Sequence, residues 1–177
     1  MGKIVNSTFV SADGVINHMD KWHFGYTSEQ TDELALRQLR EADAMLMGRN
    51  TYDVYAATWP ERDSEYAGLI NTIPKYVVST TLTDPQWNAT TVVPTMDAAV
   101  ALRETGTILM HGFGPVAKAL VVAGLLDELH LWYHPVLAGA GGPDDVLLTP
   151  GLNVAFDHLA TTTFDNGVVV ISLQGRA

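Results

Sequence analysis

Two short glycine-containing segments are the first candidates for chemistry in this sequence. Each follows an apolar run and precedes residues that favour a helix: Gly48 comes directly before Arg49, and the pair Gly112 and Gly114 comes directly before Pro115. Glycine permits positive φ and lets a ligand approach the backbone closely. The first turn of a helix offers free N–H groups and a partial positive charge. Two such turns on neighbouring strands would bind a pyrophosphate, and Arg49 would add a bidentate contact to a phosphate.

Either segment alone is also typical of an ordinary strand-to-helix turn. The second one is not a complete G-x-G-x-x-G pattern, because Ala117 stands at the third glycine position. The occurrence of both segments in one chain, one of them with an arginine, favours anion binding over the ordinary alternative.

Polar residues at other predicted strand ends and helix starts extend the candidate site. The hydroxyls of Ser79 and Thr80 close a strand and could hydrogen-bond a ribose or a 2′-phosphate, although a polar strand end is equally consistent with them. Asp13 follows the first strand. Asp32 lies at a helix start, where a carboxylate normally complements the helix dipole. Buried beside a ligand, the same carboxyl group would have a raised pKa and could relay a proton.

Composition and motif searches exclude several other function classes. The 177 residues contain no cysteine and carry a formal net charge of −10, which argues against thiolate chemistry, nucleic acid and anionic membranes. His130 and His134 would lie about 13 Å apart along a strand, so we expect no metal site. No serine lies in a G-x-S-x-G elbow. We find no signal peptide and no apolar run long enough to span a membrane, and we expect a cytoplasmic protein.

The pattern of apolar residues and breakers predicts strands that alternate with helices and then a closing hairpin. This is an α/β fold of three layers, with a mostly parallel central sheet, helices on both faces and an antiparallel C-terminal hairpin, in one domain over residues 1–177. Residues 17–26 and 58–73 are predicted to be irregular. The predicted strands are 4–10, 44–47, 75–79, 90–93, 107–110, 126–136, 154–164 and 168–173. The predicted helices are 27–40, opened by a capping box from Thr27 to Gln30, then 51–57, 95–104 and 115–122.

Six segments in this order resemble the dihydrofolate-reductase-like superfamily, and most closely its branch with the reductase domain of the bifunctional riboflavin-biosynthesis deaminase-reductase. The resemblance covers nearly the whole chain. The segments are Phe9–Ile16, Ala42–Tyr52, Lys75–Ser79, Gly112–Gly114, Gly124–Leu129 and Pro135–Gly139.

This resemblance implies an NADPH-dependent reductase that transfers hydride to a C=N or C=O group of a pterin-like or pyrimidine-like small molecule, with a homodimer as a plausible assembly. It places Asp32, sixteen residues before Gly48, at the position of the substrate carboxylate, Asp13 near the nicotinamide, and Trp22 and Trp59 beside the substrate. Riboflavin-pathway reductases hold a sugar phosphate with basic side chains, and the presumed substrate loops contain few. The alternative is a non-catalytic nucleotide-cofactor-binding module. The implied cofactor contacts are Gly48, Arg49, Asn50, Thr51, Ser79, Thr80, Gly112, Phe113, Gly114, Pro115 and Val116.

Overall fold

A single mixed β-sheet forms the centre of the computed structural model, which describes residues 2–176. Its strands are β1 Ile4–Ser11, β2 Ala44–Gly48, β3 Lys75–Val78, β4 Thr90–Val93, β5 Ile108–His111, β6 Glu128–His134, β7 Phe156–Thr163 and β8 Val169–Gly175. Across the sheet they lie in the order β4-β3-β2-β5-β1-β6-β8-β7.

In this spatial order the first six strands, β4, β3, β2, β5, β1 and β6, are parallel to one another. The sheet then continues with β8, which is antiparallel to β6, and with β7, which is antiparallel to β8. The carboxyl ends of parallel strands meet at one edge, which is where open α/β sheets bind their ligands. Here β1 is central to that edge, between β5 and β6. The predicted mostly parallel sheet with an antiparallel C-terminal hairpin is confirmed.

Helices cover both faces of the sheet because alternate strand residues point to opposite sides. On one face Met45, Met47 and Leu109 pack beneath the first three helices. On the other face Leu46, Ile108 and Met110 pack beneath the last two. The three predicted layers are therefore confirmed. The helices are α1 Glu29–Arg40, α2 Arg49–Thr58, α3 Glu65–Thr72, α4 Met96–Ala101 and α5 Pro115–Val122.

The start of α1 differs from the predicted capping box. Ser28 is the N-cap, its hydroxyl accepts from the N–H of Thr31, and the Thr31 hydroxyl accepts in return from the N–H of Ser28. The Thr27 hydroxyl instead donates to the carbonyl of Phe24, and the helix is capped one residue later, by Ser28. The predicted pair of Thr27 and Gln30 was therefore wrong by one residue, while the predicted end at Arg40 is confirmed.

The prediction that residues 58–73 are irregular was wrong, because they contain α3. Ser64 caps this helix by accepting from the N–H of Ala67 at 3.1 Å, and the helix buries Ala67 and Ile70. The other differences are at boundaries: α2 begins two residues earlier than predicted, β6 and β7 are shorter, and residues 17–26 contain two 3₁₀ turns, Met19–Lys21 and Phe24–Tyr26.

Candidate functional site

The two glycine turns lie side by side at the carboxyl edge of the sheet, because β2 and β5 are neighbouring strands. Gly48 is the N-cap of α2, and Gly114 is the N-cap of α5. A Cβ built on Gly48 would lie 3.4 Å from Cγ2 of Val116 in the opposite turn. Gly112 has φ +76°, in the left-handed region that favours glycine. The starts of the two helices are therefore neighbours, and the first turn of each has free N–H groups.

The residues around the two turns offer mainly backbone groups. Asn50 and Thr51 lie in the first turn of α2, and Pro115 and Val116 in the first turn of α5. The Phe113 side chain is buried in the core between β5 and α5, so only its backbone can contact a ligand. Such a pair of helix starts suits the oxygens of a pyrophosphate.

Two buried polar residues of β1 hold the second glycine turn in place. The Asn6 side-chain amide donates to the carbonyl of Gly112 at 2.7 Å, and its Oδ1 accepts from the Thr8 hydroxyl at 2.6 Å. Both residues are almost completely buried. Polar groups are buried where hydrogen bonds compensate the loss of water, and these bonds fix the carbonyl direction of Gly112. We did not predict this role, although two polar residues inside a buried strand are its signal in the sequence.

Arg49 begins α2 but is partly engaged by its own helix. Its Nε donates to both carboxylate oxygens of Asp53, one turn later, at 2.8 and 2.9 Å. This exposed i,i+4 pair is weak, and within residues 2–176 it leaves the two terminal nitrogens of the guanidinium unbonded. Arg49 can therefore still contact an anion above the first glycine turn.

Ser79 and Thr80 follow β3, which pairs with β2 so that Val78 lies opposite Gly48. The Ser79 hydroxyl accepts from the N–H groups of Thr81 at 3.2 Å and Leu82 at 3.1 Å. It thus shapes the turn, while Thr80 is exposed beside it. The structure places this turn next to the first glycine turn, as a site for the far end of a long cofactor requires.

A small cavity of about 40 Å³ opens one strand beyond the glycine turns, where α1 faces β1 and β6. Asp32 of α1 is the acidic residue on its wall. The residue is exposed, and the partial desolvation of its carboxyl group at the cavity raises its pKa. A cavity of this size holds a few waters at most. Its lining residues are Phe9, His23, Tyr26, Thr27, Thr31, Asp32, Ala35, Trp132 and His134.

Two histidines meet at this cavity, and their partners fix their tautomers. Nδ1 of His134 lies 2.9 Å from the Trp132 carbonyl, which can only accept, so Nδ1 carries the hydrogen. Nε2 of His134 is then an acceptor, and His23 Nδ1–H donates to it over 3.0 Å. Burial lowers the pKa of both, that of His23 to about 4 with the neighbouring His134 as a second cause. Both imidazoles are therefore neutral at pH 7.

Hydrogen-bonded polar side chains of β6, β1 and β5 lie between the cavity and the glycine turns. The Ser7 hydroxyl accepts from Nε1 of Trp132 at 2.8 Å and donates to Gln38 of α1 at 2.9 Å. In the neighbouring strand, Nδ1 of His111 lies 3.0 Å from the Tyr55 hydroxyl of α2. Burial lowers the pKa of His111 to about 4, so this imidazole is also neutral.

The predicted tryptophans lie in different places. Trp22 is buried and packs edge-on against His134, with ring centroids 5.0 Å apart, so it supports the cavity wall. Trp59 ends α2 and packs against Tyr55 and Tyr66, with Arg62 above its ring. It is not among the residues that line the Asp32 cavity.

Asp13 is exposed but fully engaged as an acceptor. Its carboxylate accepts from the Ser11 hydroxyl and from the N–H groups of Gly139 at 2.8 Å and Ala138 at 3.0 Å. These bonds lower its pKa to about 2, with the Ser11 bond as the largest cause. A carboxyl group with this pKa is ionised at neutral pH and cannot donate a proton. The bonds join the end of β1 to the loop after β6.

Comparison with known proteins identifies the family. The model of the RibD C-terminal domain matches residues 2–170, nearly the whole chain. The chain belongs to the RibD C-terminal domain family. This membership confirms the riboflavin-pathway branch to which the sequence segments pointed, and it indicates a reductase-like domain.

Relatives of this family member span the same fold at low sequence identity. An uncharacterized protein of Bacillus subtilis, YyaP, is 26% identical over 141 residues, covering 75% of this chain and 74% of its own. A putative riboflavin biosynthesis protein from Shewanella sp. PV-4 superposes over the full length of both chains with a TM-score of 0.74 and 20% identity. A pyrimidine reductase-like protein from Corynebacterium diphtheriae gives 0.70 at 14% identity over 99% of this chain and 92% of its own.

The RibD of Acinetobacter baumannii is a longer protein. All of this chain superposes on it with a TM-score of 0.66 at 13% identity, but covers only 59% of that chain. Within residues 2–176 we find no cluster of three or more histidine and acidic side chains that could hold a metal ion. No helix in the same range is long and apolar enough to cross a membrane.

Proposed function

We propose that this protein is an NADPH-dependent reductase that transfers hydride to a C=N or C=O carbon of a ring bound in the Asp32 cavity. The observation that carries the proposal is the placement of the paired glycine turns and this cavity on one edge of the sheet. The second glycine turn follows β5 and the far wall of the cavity is on β6. Only β1 lies between these two strands, so they are about two strand spacings apart, or ~10 Å. An extended dinucleotide held at the turns would reach the cavity.

Two glycines support phosphate binding at the turns. A Cβ at Gly48 would lie 3.4 Å from Cγ2 of Val116 in the other turn, and Gly112 has a positive φ that favours glycine. In the proposal the backbone N–H groups at the starts of α2 and α5 bind the pyrophosphate. Arg49 and the turn of Ser79 and Thr80 bind the adenosine end with its 2′-phosphate. NADPH supplies the hydride when bound.

The cavity side contributes orientation and a proton. Phe9, Trp132 and Tyr26 present aromatic surfaces to a planar ring, and holding two reactants in near-attack geometry accounts for a large part of catalysis. Asp32, whose pKa partial desolvation raises, or a water that it orders, supplies the proton that accompanies hydride transfer. We assign Asp13 to positioning the loop after β6, because its carboxylate accepts from the N–H groups of Ala138 and Gly139 in that loop. Trp59 has no part in this proposal.

The first test is cofactor binding by thermal shift. We expect NADPH to raise the melting temperature more than NADH, and Arg49→Ala to abolish most of that preference, with Arg37→Ala on α1 as the control. Loss of one phosphate contact corresponds to about tenfold in affinity, or ~1.4 kcal/mol. Equal shifts from both cofactors, or an unchanged preference in Arg49→Ala, would contradict the proposal.

The second candidate is a nucleotide-binding module without catalysis. The small volume of the cavity favours it, because about 40 Å³ does not admit a substrate ring as the structure stands. Consumption of NADPH, followed by the absorbance of the reduced nicotinamide over a panel of pyrimidines and pterins, separates the two candidates. The module would bind NADPH and leave its absorbance constant with every compound.

A further inference from the structure

A serine, a histidine and a glutamate meet on one face of β6 and β8. Ser172 of β8 lies directly opposite His130 of β6 in the antiparallel register, and its hydroxyl oxygen is 2.7 Å from Nδ1 of the imidazole. On the other side of the ring, Nε2 lies 3.3 Å from Oε2 of Glu128, which precedes His130 by two residues and so shares its face of the strand. The three side chains therefore form a row in the order hydroxyl, imidazole and carboxylate.

The contacts of His130 fix the direction of its hydrogen bonds. An ionised carboxylate can only accept, so the hydrogen of the neutral imidazole is on Nε2, which faces Glu128. Nδ1 is then an acceptor, and the Ser172 hydroxyl donates to it. Lys3 donates from Nζ to the other oxygen of Glu128 at 2.7 Å and so orients the carboxylate. Burial, partly offset by Glu128, lowers the pKa of His130, so the ring is neutral at pH 7 and can take the serine proton.

This combination of partners occurs at one histidine of the part of the chain that the structure describes, residues 2–176, which includes all six histidines. His158 of β7 lies 2.9 Å from the Thr161 hydroxyl, but in this range it pairs with no carboxylate. A row of hydroxyl, imidazole and carboxylate is defined by geometry and does not need the G-x-S-x-G motif. Here the serine is on Nδ1 and the carboxylate on Nε2, the reverse of the serine proteases, and either nitrogen of a neutral imidazole can accept a proton.

The surroundings of Ser172 suit a small uncharged acyl group. Its partner across β7 is Ala160, whose small side chain leaves room beside the hydroxyl, and Ser172 itself keeps part of its surface in solvent. The carboxylates of Glu128 and Glu41 act on the imidazole against the single ammonium group of Lys3. An anionic ester would therefore be repelled.

We propose that Ser172 is an activated nucleophile for small uncharged carboxylic esters, with His130 as its base and Glu128 as the residue that positions the base. The hydroxyl proton passes to Nδ1 while the Oγ–C bond forms and the ester C–O bond breaks, and the leaving alcohol takes that proton. Water then attacks the acyl-serine in the same way, which releases the carboxylic acid and restores the serine. The activity is separate from the proposed reductase function, because His130 lies four residues before His134, about 13 Å along β6 from the Asp32 cavity.

The first test is covalent labelling of the full chain with diisopropyl fluorophosphate, which phosphorylates activated serines with loss of fluoride, followed by peptide mass spectrometry. We expect the label on Ser172. In His130→Gln the labelling rate should fall about 100-fold, the usual contribution of a general base. His158→Gln, which removes the histidine of the other hydroxyl pair, is the matched control and should leave the rate unchanged.

Labelling of the unmodified protein requires no variant to fold, so the position of the label decides by itself. A label on other residues only, or none, would overturn the proposal whatever the variants do. Equal labelling rates in His130→Gln and His158→Gln would also overturn it, because the serine would then react without a base.

Hydrolysis of p-nitrophenyl acetate tests the role of Glu128. We expect the release of p-nitrophenol to depend on Ser172 and to rise with pH as His130 loses its proton. Glu128 raises the pKa of His130, so Glu128→Gln should move this rise to lower pH, and Glu41→Gln should move it less. A residue with a merely structural role would leave the position of the rise unchanged. The proposal fails if Ser172→Ala hydrolyses the ester at the rate of the unmodified protein, or if Glu128→Gln keeps the original pH profile.

Discussion

The two halves of the candidate site, the glycine turns and the Asp32 cavity, use different groups of the protein. The glycine turns use backbone groups of two short segments, fixed by the strands before them and the helices after them. The Asp32 cavity uses side chains from β1, the 17–26 segment and α1, which follow one another in the chain, and from β6, which lies far along the chain from them. The first half is therefore set by local conformation, and the second by packing.

The two halves should therefore respond differently to substitutions. A backbone site tolerates most side-chain changes but not a change that the turn conformation forbids. A side-chain site keeps its shape only while its hydrogen-bonded neighbours keep theirs. Substitutions in the two halves should therefore separate cofactor affinity from turnover.

The largest effect is expected at Asp32, where Asp32→Asn removes the proton source and the negative charge but keeps one acceptor oxygen. We expect kcat to fall by about 100-fold or more, the usual contribution of general acid catalysis, with the Kd for NADPH unchanged. Glu33→Gln, the adjacent carboxylate of α1, is the matched control and should keep full activity. Turnover that is indifferent to Asp32→Asn would remove Asp32 from the mechanism.

Gly112→Val should have the second largest effect, and on the other half. A β-branched residue at φ +76° is strained by about 1–3 kcal/mol, so relaxation of the turn should raise the Kd for NADPH by ~10–100-fold. Gly124→Val is the control, because Gly124 also has a positive φ, +66°, and a Cβ there meets nothing within 4 Å, but it lies beyond the other end of α5. If the two variants weaken NADPH binding equally, the inference that the backbone conformation of Gly112 forms part of the cofactor site is wrong.

Asn6→Leu tests whether the central strand holds the second glycine turn. The Gly112 carbonyl and the Thr8 hydroxyl lose their partner, which should lower the free energy of unfolding by about 1–3 kcal/mol and weaken NADPH binding less than Gly112→Val does. Thr8→Val, which removes only the outer hydroxyl, should cost less in urea unfolding and leave NADPH binding unchanged. A larger binding defect in Thr8→Val than in Asn6→Leu would reverse our assignment of the two residues.

The smallest effect is expected from Asp13→Asn and depends on pH. The folded pKa of about 2 lies below the usual 3.8, so the bonds of the carboxylate stabilise the fold above about pH 4 and are lost as the pH falls toward 2. The urea midpoint of the unmodified protein should exceed that of Asp13→Asn at pH 6, and the two should converge at low pH. Asp84→Asn, an exposed carboxylate, is the control; a pH-independent gap for Asp13→Asn would contradict its positioning role.

Local sequence signals predicted most of the fold. Strand ends at glycine, the start of α5 at Pro115 and the turn at Asn166 and Gly167 each depend on conformational preferences of a few adjacent residues. The helix α3 was missed even though Ser64 and Glu65 are a good N-terminal signal, because Trp59 and Pro60 just before it indicated irregular chain. The capping box of α1 was displaced by one residue, since Thr27, Ser28 and Thr31 compete for the same N–H groups and the entry of the chain decides between them.

The sequence by itself thus determined the layer architecture, the two glycine turns and the family, because each depends on the order of short, self-contained patterns. Only the tertiary structure decided that the turns face one another across β2 and β5 and that Asn6 holds one of them. It alone placed His23 on Phe9 and against His134 beside Asp32. The pKa values of His23 and His134 are lowered by burial among side chains from distant parts of the chain, and no local pattern carries that information. The Arg49–Asp53 pair, by contrast, follows from i,i+4 spacing on one helix.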